Sequence, residues 1–353
     1  MTRRRFLKRS LAAGMVVAAG AATLMPRKAN AYYSGPPSDH FDGTRFYNPG
    51  GRSPKGLADV ARLYALEDWS PWPVVVASPN PPDRPPAQVT GGSARLVLVG
   101  HASWLVQAGG RNILIDPVWA EQAGPTRFIG PRRANPPGIA FDDLPQIHAV
   151  LVTHNHYDHM DLDTIARLWR RHRPVIVTPL GNDTIMREAI PDLATRAVDW
   201  GDATDLGGIV AHCVPTQHWS ARGARDRHHA LWASFVLETP AGRIYAVGDS
   251  GLGDGRTFRH VGGRFPGLRM ALLPIGAYEP RWFMESQHLN PADAVQAFRL
   301  CGAADALGHH WGTFQLTTEP HDQPPAHLQR ELMLAGIAPE RFQALSAGGV
   351  TVI

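Results

Sequence analysis

The stretch THNHYDHMD, residues 153–161, puts His154, His156, Asp158 and His159 within six consecutive positions. It follows HAVLVT, an apolar, β-branched run of the kind that forms a buried strand. It leads into DLDTIARLWRRH, whose apolar spacing predicts a helix capped by Asp161 or Asp163. In an extended or tightly turning loop, side chains two apart point to the same side. His154 and His156 can then meet one ion, and Asp158 and His159, further round the turn, a second. Imidazole and carboxylate are good zinc ligands, and a catalytic zinc keeps an open position for water. A solvated histidine-rich loop is the bland alternative, and the H-x-H-x-D-H spacing argues against it.

Such a site needs further donors, and later apolar runs end on candidates. His218 follows CVPTQ, Asp249 follows IYAVG, and His310 ends ALGHH. These are the strand ends at which α/β sheets present their chemistry. Alone, each reads more readily as structural; with the first motif they complete two sets of three or four donors. Around them the chain alternates. ARLVLVG, ASWLVQAGG and RNILIDP are β-rich, with Gly109-Gly110 as a hairpin turn. Strands are expected in PVIVTP, GIVAHCVPT, HALWASFVLE, GRIYAVGD, RMALLPIG, ADALGH and GGVTVI. Helices are expected in NDTIMREAI, PADAVQAFRLC and AHLQRELMLAG, the second with Pro at its first turn. This is a mixed α/β chain of two sheets with covering helices. No repeat of fixed period is visible, although two halves of similar content are compatible with the pattern.

The ends of the chain and its composition bound the rest. Residues 1–31 join a basic head, Arg3 to Arg9, to the uncharged run LAAGMVVAAGAATLM and a small-x-small Ala29-Asn30-Ala31. This layout predicts a secretory signal, too short in its apolar part for a comfortable membrane span. TRRRFLK resembles a twin-arginine export signal, which implies a periplasmic or exported protein folded before transport; an uncleaved anchor helix is the alternative. The formal charge of +4 becomes −3 once the seven Lys and Arg of residues 1–31 are set aside, so a general nucleic-acid-binding surface loses its support. Residues 32–93 include WSPWPVVVASPNPPDRPPAQVTGG and are expected to form an irregular, Pro-rich arm packed on a main domain of residues 94–353. Trp69, Trp72 and Val74 to Val76 either pack on the core or touch lipid. Cys213 and Cys301 are not a Cys-x-x-Cys pair; two separate buried thiols are the simpler expectation, with a disulfide permitted by export.

The motifs GHASWLVQ, IDPVW, GPRR, LPQIHAVLVTHNHYDHMD, PTQHW, GDSG, LPIGAYEPRWFM, QHLNPADAV and HHWGTF span about residues 95 to 320. Together they resemble the metallo-β-lactamase superfamily. GAYEPRWFM and HHWGTF narrow the resemblance to N-acylphosphatidylethanolamine-hydrolysing phospholipases D and their bacterial relatives. The resemblance implies an αββα sandwich with two zinc ions at its edge. It assigns His154, His156 and His218 to one ion and Asp158, His159 and His310 to the other, with Asp249 between them. His310, not His309, is chosen because the last ligand directly precedes Trp-Gly-Thr-Phe. Asp116, in IDP, matches a position that braces the histidine loop. His288, in QHLNP, matches one near the reacting group, and His101 lines the site without being a ligand.

The implied reaction is hydrolysis of N-acylphosphatidylethanolamine to phosphatidic acid and an N-acylethanolamine, with water activated between the ions and Asp158, Asp249 and His288 in the catalytic set. There is no Gly-x-Ser-x-Gly elbow to supply a serine nucleophile. Arg127, Arg132, Arg133, Arg222, Arg225, Arg227 and Arg281 are candidates for phosphate or headgroup contact, each weighed against a solvated charged face. Tyr278, Trp282, Phe283 and Met284 are candidates for an acyl-chain groove. The expected partners are a phospholipid or other anionic small molecule, with peripheral membrane contact and, from the resemblance, a homodimer. Two other readings stay open: a lactonase or other hydrolase of a small anionic substrate, and a non-catalytic metal-bearing binding protein.

Overall fold

Strands that read as unbroken apolar runs must be covered on both faces, and this requirement organises the molecule. The computed structural model describes residues 30–50 and 55–353. The basic head and apolar run expected as a signal therefore lie, up to residue 29, outside the described residues. After α1 (Leu57–Leu66), the first half of the main domain runs β1 (Ala94–Gly100), β2 (Ser103–Ala108), β3 (Arg111–Ile115), β4 (Ala149–Leu151), α2 (Leu162–His172), β5 (Val175–Pro179), α3 (Asn182–Ala189) and β6 (Thr195–Val198). The second half runs β7 (Ala203–Asp205), β8 (Val210–Val214), β9 (Ser234–Thr239), β10 (Gly242–Ala246), α4 (Arg256–Arg264), β11 (Leu268–Pro274), α5 (Arg281–Met284), α6 (Pro291–Cys301), β12 (Asp305–His309), α7 (Gln323–Leu334), β13 (Phe342–Ala344) and β14 (Val350–Val352).

Two seven-stranded sheets result, ordered β14-β1-β2-β3-β4-β5-β6 and β13-β12-β11-β10-β9-β8-β7. In each, antiparallel pairing gives way to parallel pairing, from β3 onward in the first and from β10 onward in the second. Period-2 alternation sorts the side chains. Leu96, Leu98, Trp104 and Ile113 meet Phe235, Leu237, Ile244 and Leu272 between the sheets. Val97, Leu105, Leu114 and Val150 face Ile165, Leu168 and Met186 of α2 and α3. On the far side, Tyr245, Ala271 and Leu273 face Phe258 of α4, Phe298 of α6 and Leu328 of α7. The architecture is the expected αββα sandwich.

Local signals explain the boundaries. Asp161, not Asp163, caps α2, accepting from the amides of Asp163 and Thr164. Asn290 caps α6 in a capping box with Pro291 at its first turn. Gly109 and Gly110 both take positive φ, at 54° and 74°, and join β2 to β3 in a two-residue hairpin. Cys213 lies between the sheets and Cys301 under the helices beyond the second sheet, both as free thiols.

The stretch 32–93 is not wholly irregular, as had been expected. LADVARLYAL forms α1, held at its start by the Gly56 amide on Asp59 Oδ2 at 2.8 Å. Phe41 and Phe46 bury against Leu231 and Trp232. The Asn30 side chain donates to the carbonyls of Thr44 and His229 and accepts from the amides of Tyr32 and Tyr33. Packed structure thus begins within the stretch that resembles a leader. Among the described residues, no helix is long and apolar enough to cross a membrane.

Candidate metal centre

All the donors arrive from strand ends at one edge of the sandwich. β3 hands over to Asp116, β4 to His154, β8 to His218, β10 to Asp249 and β12 to His310. Beyond Thr153 the chain turns immediately: the amides of His159 and Met160 both donate to the His156 carbonyl, so the motif is a tight turn leading into α2. Asp116 fixes that turn from below. Its carboxylate accepts from the Thr153 amide, the Thr153 hydroxyl and His159 Nδ1, each at 2.7 Å. Asp116, His101 and His310 all hold positive φ, at 44°, 54° and 68°. Non-glycine residues adopt this conformation uncommonly, aspartate and histidine more readily than most.

The side chains converge in groups able to hold a metal ion. His154, His156, His218 and Asp249 form one; Asp158, His159 and His310 form another with His101; Asp249 also groups with His288 and His310. His156 Nδ1 is 2.9 Å from His154 Nε2 and 3.2 Å from His218 Nε2. His159 Nε2 is 3.2 Å from His310 Nε2, and each is 3.5 Å from Asp158 Oδ2. Asp249 approaches both groups, with His310 at 3.0 Å, His159 at 3.2 Å, His218 at 3.7 Å and His154 at 3.9 Å. Donors about 2.0–2.1 Å from one zinc in a tetrahedron stand about 3.3 Å apart, which these spacings match. Both oxygens of Asp249 are buried without a hydrogen-bond partner; the imidazoles beside them are close but misdirected, as expected around a cation. The residues fit a divalent metal pair.

Electrostatics agree. Burial, reinforced by neighbouring imidazoles, holds His154 and His156 well below the usual histidine range, so their lone pairs are free. Burial lowers His218 to about 4. His159 and His310 behave oppositely. Burial disfavours their charged forms, but the carboxylates, Asp249 foremost, outweigh it; His159 rises well above normal and His310 to about 9. Protons on these two rings stand where a metal would.

Other expected residues fall in various places. His101 Nε2 is 2.9 Å from Asp158 Oδ2, so this histidine touches a donor directly. His288 Nδ1 is 3.8 Å from Asp249 Oδ2 and has no partner of its own. Arg281 is not brought to the donors; it pairs with Asp293 at 2.6 Å and donates to the His288 carbonyl, bracing that loop. Tyr278 is fully buried, its hydroxyl 3.4 Å from His327 of α7. Trp282 donates to Glu67 at the end of α1 and stacks under Arg62, so α1 covers that aromatic patch. Arg133 is buried on the carbonyls of Val118 and Ala120. Arg227 lies over Trp219, while Arg127, Arg132 and Arg225 are exposed. The sequence did not single out Thr153 or Gln287, whose carbonyl accepts from His218 Nδ1 at 2.9 Å. A cavity of about 710 Å³, lined by residues including Asn48, Gln217, Arg256 and Ser286, contains none of the seven donors and sits beside the centre.

Fold and centre define a metal-dependent hydrolase of αββα type. The family profile described as a beta-lactamase superfamily domain matches residues 111–311, and the chain belongs to the metallo-β-lactamase superfamily. It is 36% identical over 244 residues to N-acyl-phosphatidylethanolamine-hydrolyzing phospholipase D 1 of Caenorhabditis elegans, covering 67% of this chain and 68% of that one. It is 33% identical over 274 residues to an uncharacterized protein of Mycobacterium tuberculosis, covering 76% and 69%. A solved structure of a possible metal-dependent hydrolase from Veillonella parvula superposes with a TM-score of 0.60 at 17% identity, over 73% of this chain and 98% of that one.

Proposed function

We propose that the protein is a dinuclear-zinc phosphodiesterase of phospholipase D type that hydrolyses N-acylphosphatidylethanolamine-like phospholipids to phosphatidic acid and N-acylethanolamine. The observation that carries the reading is the seven-donor centre, occurring in a chain 36% identical to a relative named for this activity. His154, His156 and His218 would hold one zinc and Asp158, His159 and His310 the other, with Asp249 shared. Bound zinc supplies Lewis acidity toward phosphoryl oxygens and acidifies water. The chain's own groups do the rest. Asp116 keeps His159 oriented with Nε2 inward, and His101 holds Asp158. His288 presents an unpartnered Nδ1 beside Asp249, and burial holds its pKa well below the usual histidine range, so the neutral ring is suited to accept a proton or a hydrogen bond at the reacting centre.

A lipid substrate needs a way onto a membrane, and one rim suits it. Val74 and Val75 are each 76% exposed, Phe128 74% and Ile129 59%. Arg127 and Phe128 form the tip of a hairpin bridged at Thr126 and Ile129, with Arg132 on its returning side. The Val76 amide donates to Ala134, two residues beyond that hairpin. The hairpin base reaches the centre through Arg133, which lies over Phe314, itself 5.2 Å from the His101 ring. Apolar tips beside arginines insert at anionic lipid surfaces. With export by the twin-arginine-like leader, the rim would meet an envelope membrane.

The test offers the zinc-loaded full chain vesicles containing N-acylphosphatidylethanolamine and looks for N-acylethanolamine by mass spectrometry, with Asp158→Asn as control. The expected result is product that disappears in the control. No product from protein holding two metals would overturn the lipid reading and favour a small soluble substrate.

A further inference from the structure

Three of the five metal-facing histidines are steadied through their second ring nitrogen, while His310 Nδ1, like His156 Nε2, is buried without a partner. His154 Nδ1 meets the Thr153 hydroxyl at 2.9 Å, His159 Nδ1 meets Asp116 at 2.7 Å, and His218 Nδ1 meets the Gln287 carbonyl at 2.9 Å. His156 lacks such a brace. Its Nδ1 faces the other donors, and its Nε2 is buried without a partner. Trp219 packs edge-on against the ring at 4.4 Å between centroids, but no hydrogen bond fixes the ring's angle, so the peptide that carries it has to be held as well.

Arg222 holds that peptide. Its Nη1 donates to the Asn155 carbonyl at 2.9 Å and to the Met160 carbonyl at 2.8 Å, closing the turn on both sides of His156. The guanidinium lies 4.0 Å from the centre of the Tyr157 ring, and the Tyr157 hydroxyl donates back to the Arg222 carbonyl at 2.6 Å. Burial lowers the Arg222 pKa, and the two carbonyls and the ring face offset that desolvation. Arg222 sits four residues after His218, so it ties the two loops that supply the His154–His156–His218 group. The loop is tied in turn to the N-terminal arm. Asp226 accepts from the Arg222 amide and the Tyr32 hydroxyl, the Phe46 amide donates to the His228 carbonyl, and Asn48 donates to the His218 carbonyl.

We propose that Arg222 is a positioning residue for His156, on which the His154–His156–His218 site depends selectively. The inference rests on the ligand assignment given above. Lysine at this position keeps the charge but loses the planar fork and the stacking. The outer partners of a metal ligand typically govern about 10- to 100-fold of affinity.

The experiment compares the full-length wild type, Arg222→Lys and His156→Ala. Each is stripped of metal, reloaded with cobalt(II) and titrated with a competing chelator. Cobalt is counted by plasma mass spectrometry and its coordination followed by visible absorption. The wild type is expected to hold two ions. Arg222→Lys should hold one as the wild type does and the other about 10- to 100-fold more weakly, with the metal-free protein unfolding at nearly the wild-type temperature. His156→Ala should lose one ion outright. Two ions retained by His156→Ala would sink the ligand assignment itself. With that variant at one ion, unchanged binding in Arg222→Lys, or equal weakening of both ions, would overturn the positioning role.

Discussion

Asp116→Asn tests how far the centre depends on a residue that touches no substrate. The carboxylate is fully buried and accepts three hydrogen bonds, each at 2.7 Å, two of them at Oδ2 from the Thr153 hydroxyl and His159 Nδ1. An asparagine can keep one oxygen acceptor, for the Thr153 amide. Its NH2 then faces the hydroxyl and the imidazole as a donor. The hydroxyl can rotate to accept. The imidazole can comply only by moving its proton from Nδ1 to Nε2, the atom that faces His310 and Asp249. A protonated Nε2 cannot bind a metal. The substitution therefore opposes metal binding by the cost of restoring the right tautomer against a donor–donor clash, about 1.4–2.7 kcal/mol, or 10- to 100-fold in affinity. Competition between the protein and a chromophoric zinc chelator reads this directly. Stability of the metal-free fold should fall by about 1–3 kcal/mol, as for one badly paired buried group, measured by urea unfolding in a chelator. Wild-type zinc affinity in Asp116→Asn would refute the reasoning, because the tautomer of His159 would then not be set by Asp116.

Two further outcomes follow from the charges. In the metal-free protein the neighbouring carboxylates outweigh burial, raising His310 to about 9 and holding His159 well above the ordinary range, so this facing pair carries proton charge at pH 7.5; metal loading should release protons, and affinity should climb with pH up to about 9, checked by calorimetry in buffers of different ionisation enthalpy. A heat independent of buffer would exclude this. In the arm, His40 is buried between Asp39 at 2.6 Å and Asp199 at 2.7 Å and stacks on Trp200. Burial disfavours its charge, but the two carboxylates outweigh it and raise its pKa. Its stabilisation is thus complete below about 6.5, the unfolded value, and is lost as pH rises through the folded value. His40→Gln should be less stable than wild type at pH 6, with the gap closing above neutrality in urea unfolding; a gap constant with pH would contradict the assignment.

What the sequence disclosed was local. The H-x-H-x-D-H motif compresses four donors into six positions, and His218, Asp249 and His310 each end an apolar run, so chemistry and strand pattern pointed to one place. The central strands were legible because covering on both faces leaves continuous apolar runs. The edge strands β6, β7 and β13 were not; they are three or four residues long and partly exposed, with little pattern to see. RTFRHVGGR of α4 buries only Phe258 and Val261, and its two glycines disfavour a helix, so packing against α6 decides its form. The arginines were the least legible. In sequence a loop arginine reads as solvated or headgroup-binding. Arg222 and Arg281 instead spend their donors on carbonyls and a carboxylate, and no local rule announces a partner 67 residues away.

The symmetry of the sandwich explains why the centre sits where it does. Each half begins with antiparallel strands and continues with parallel ones, yet the two sequences share no visible repeat, because covered strands require only that residues be apolar and of suitable size. The halves diverge where they donate. The first gives His154, His156, Asp158 and His159 from a single turn, and the second gives His218, Asp249 and His310 from three separate strand ends. Neither donor group is complete within one half. An ion in either group therefore spans the seam between the sheets, and it stabilises only the arrangement in which both are docked. At one hundred times its dissociation constant, a ligand confined to the folded state adds about 2.7 kcal/mol, comparable with one large apolar side chain in the inter-sheet core. Folding and site assembly are in this sense one event: the apolar layer brings the strand ends to a common edge, and the buried, mutually repelling imidazoles collected there are at their most stable around a cation.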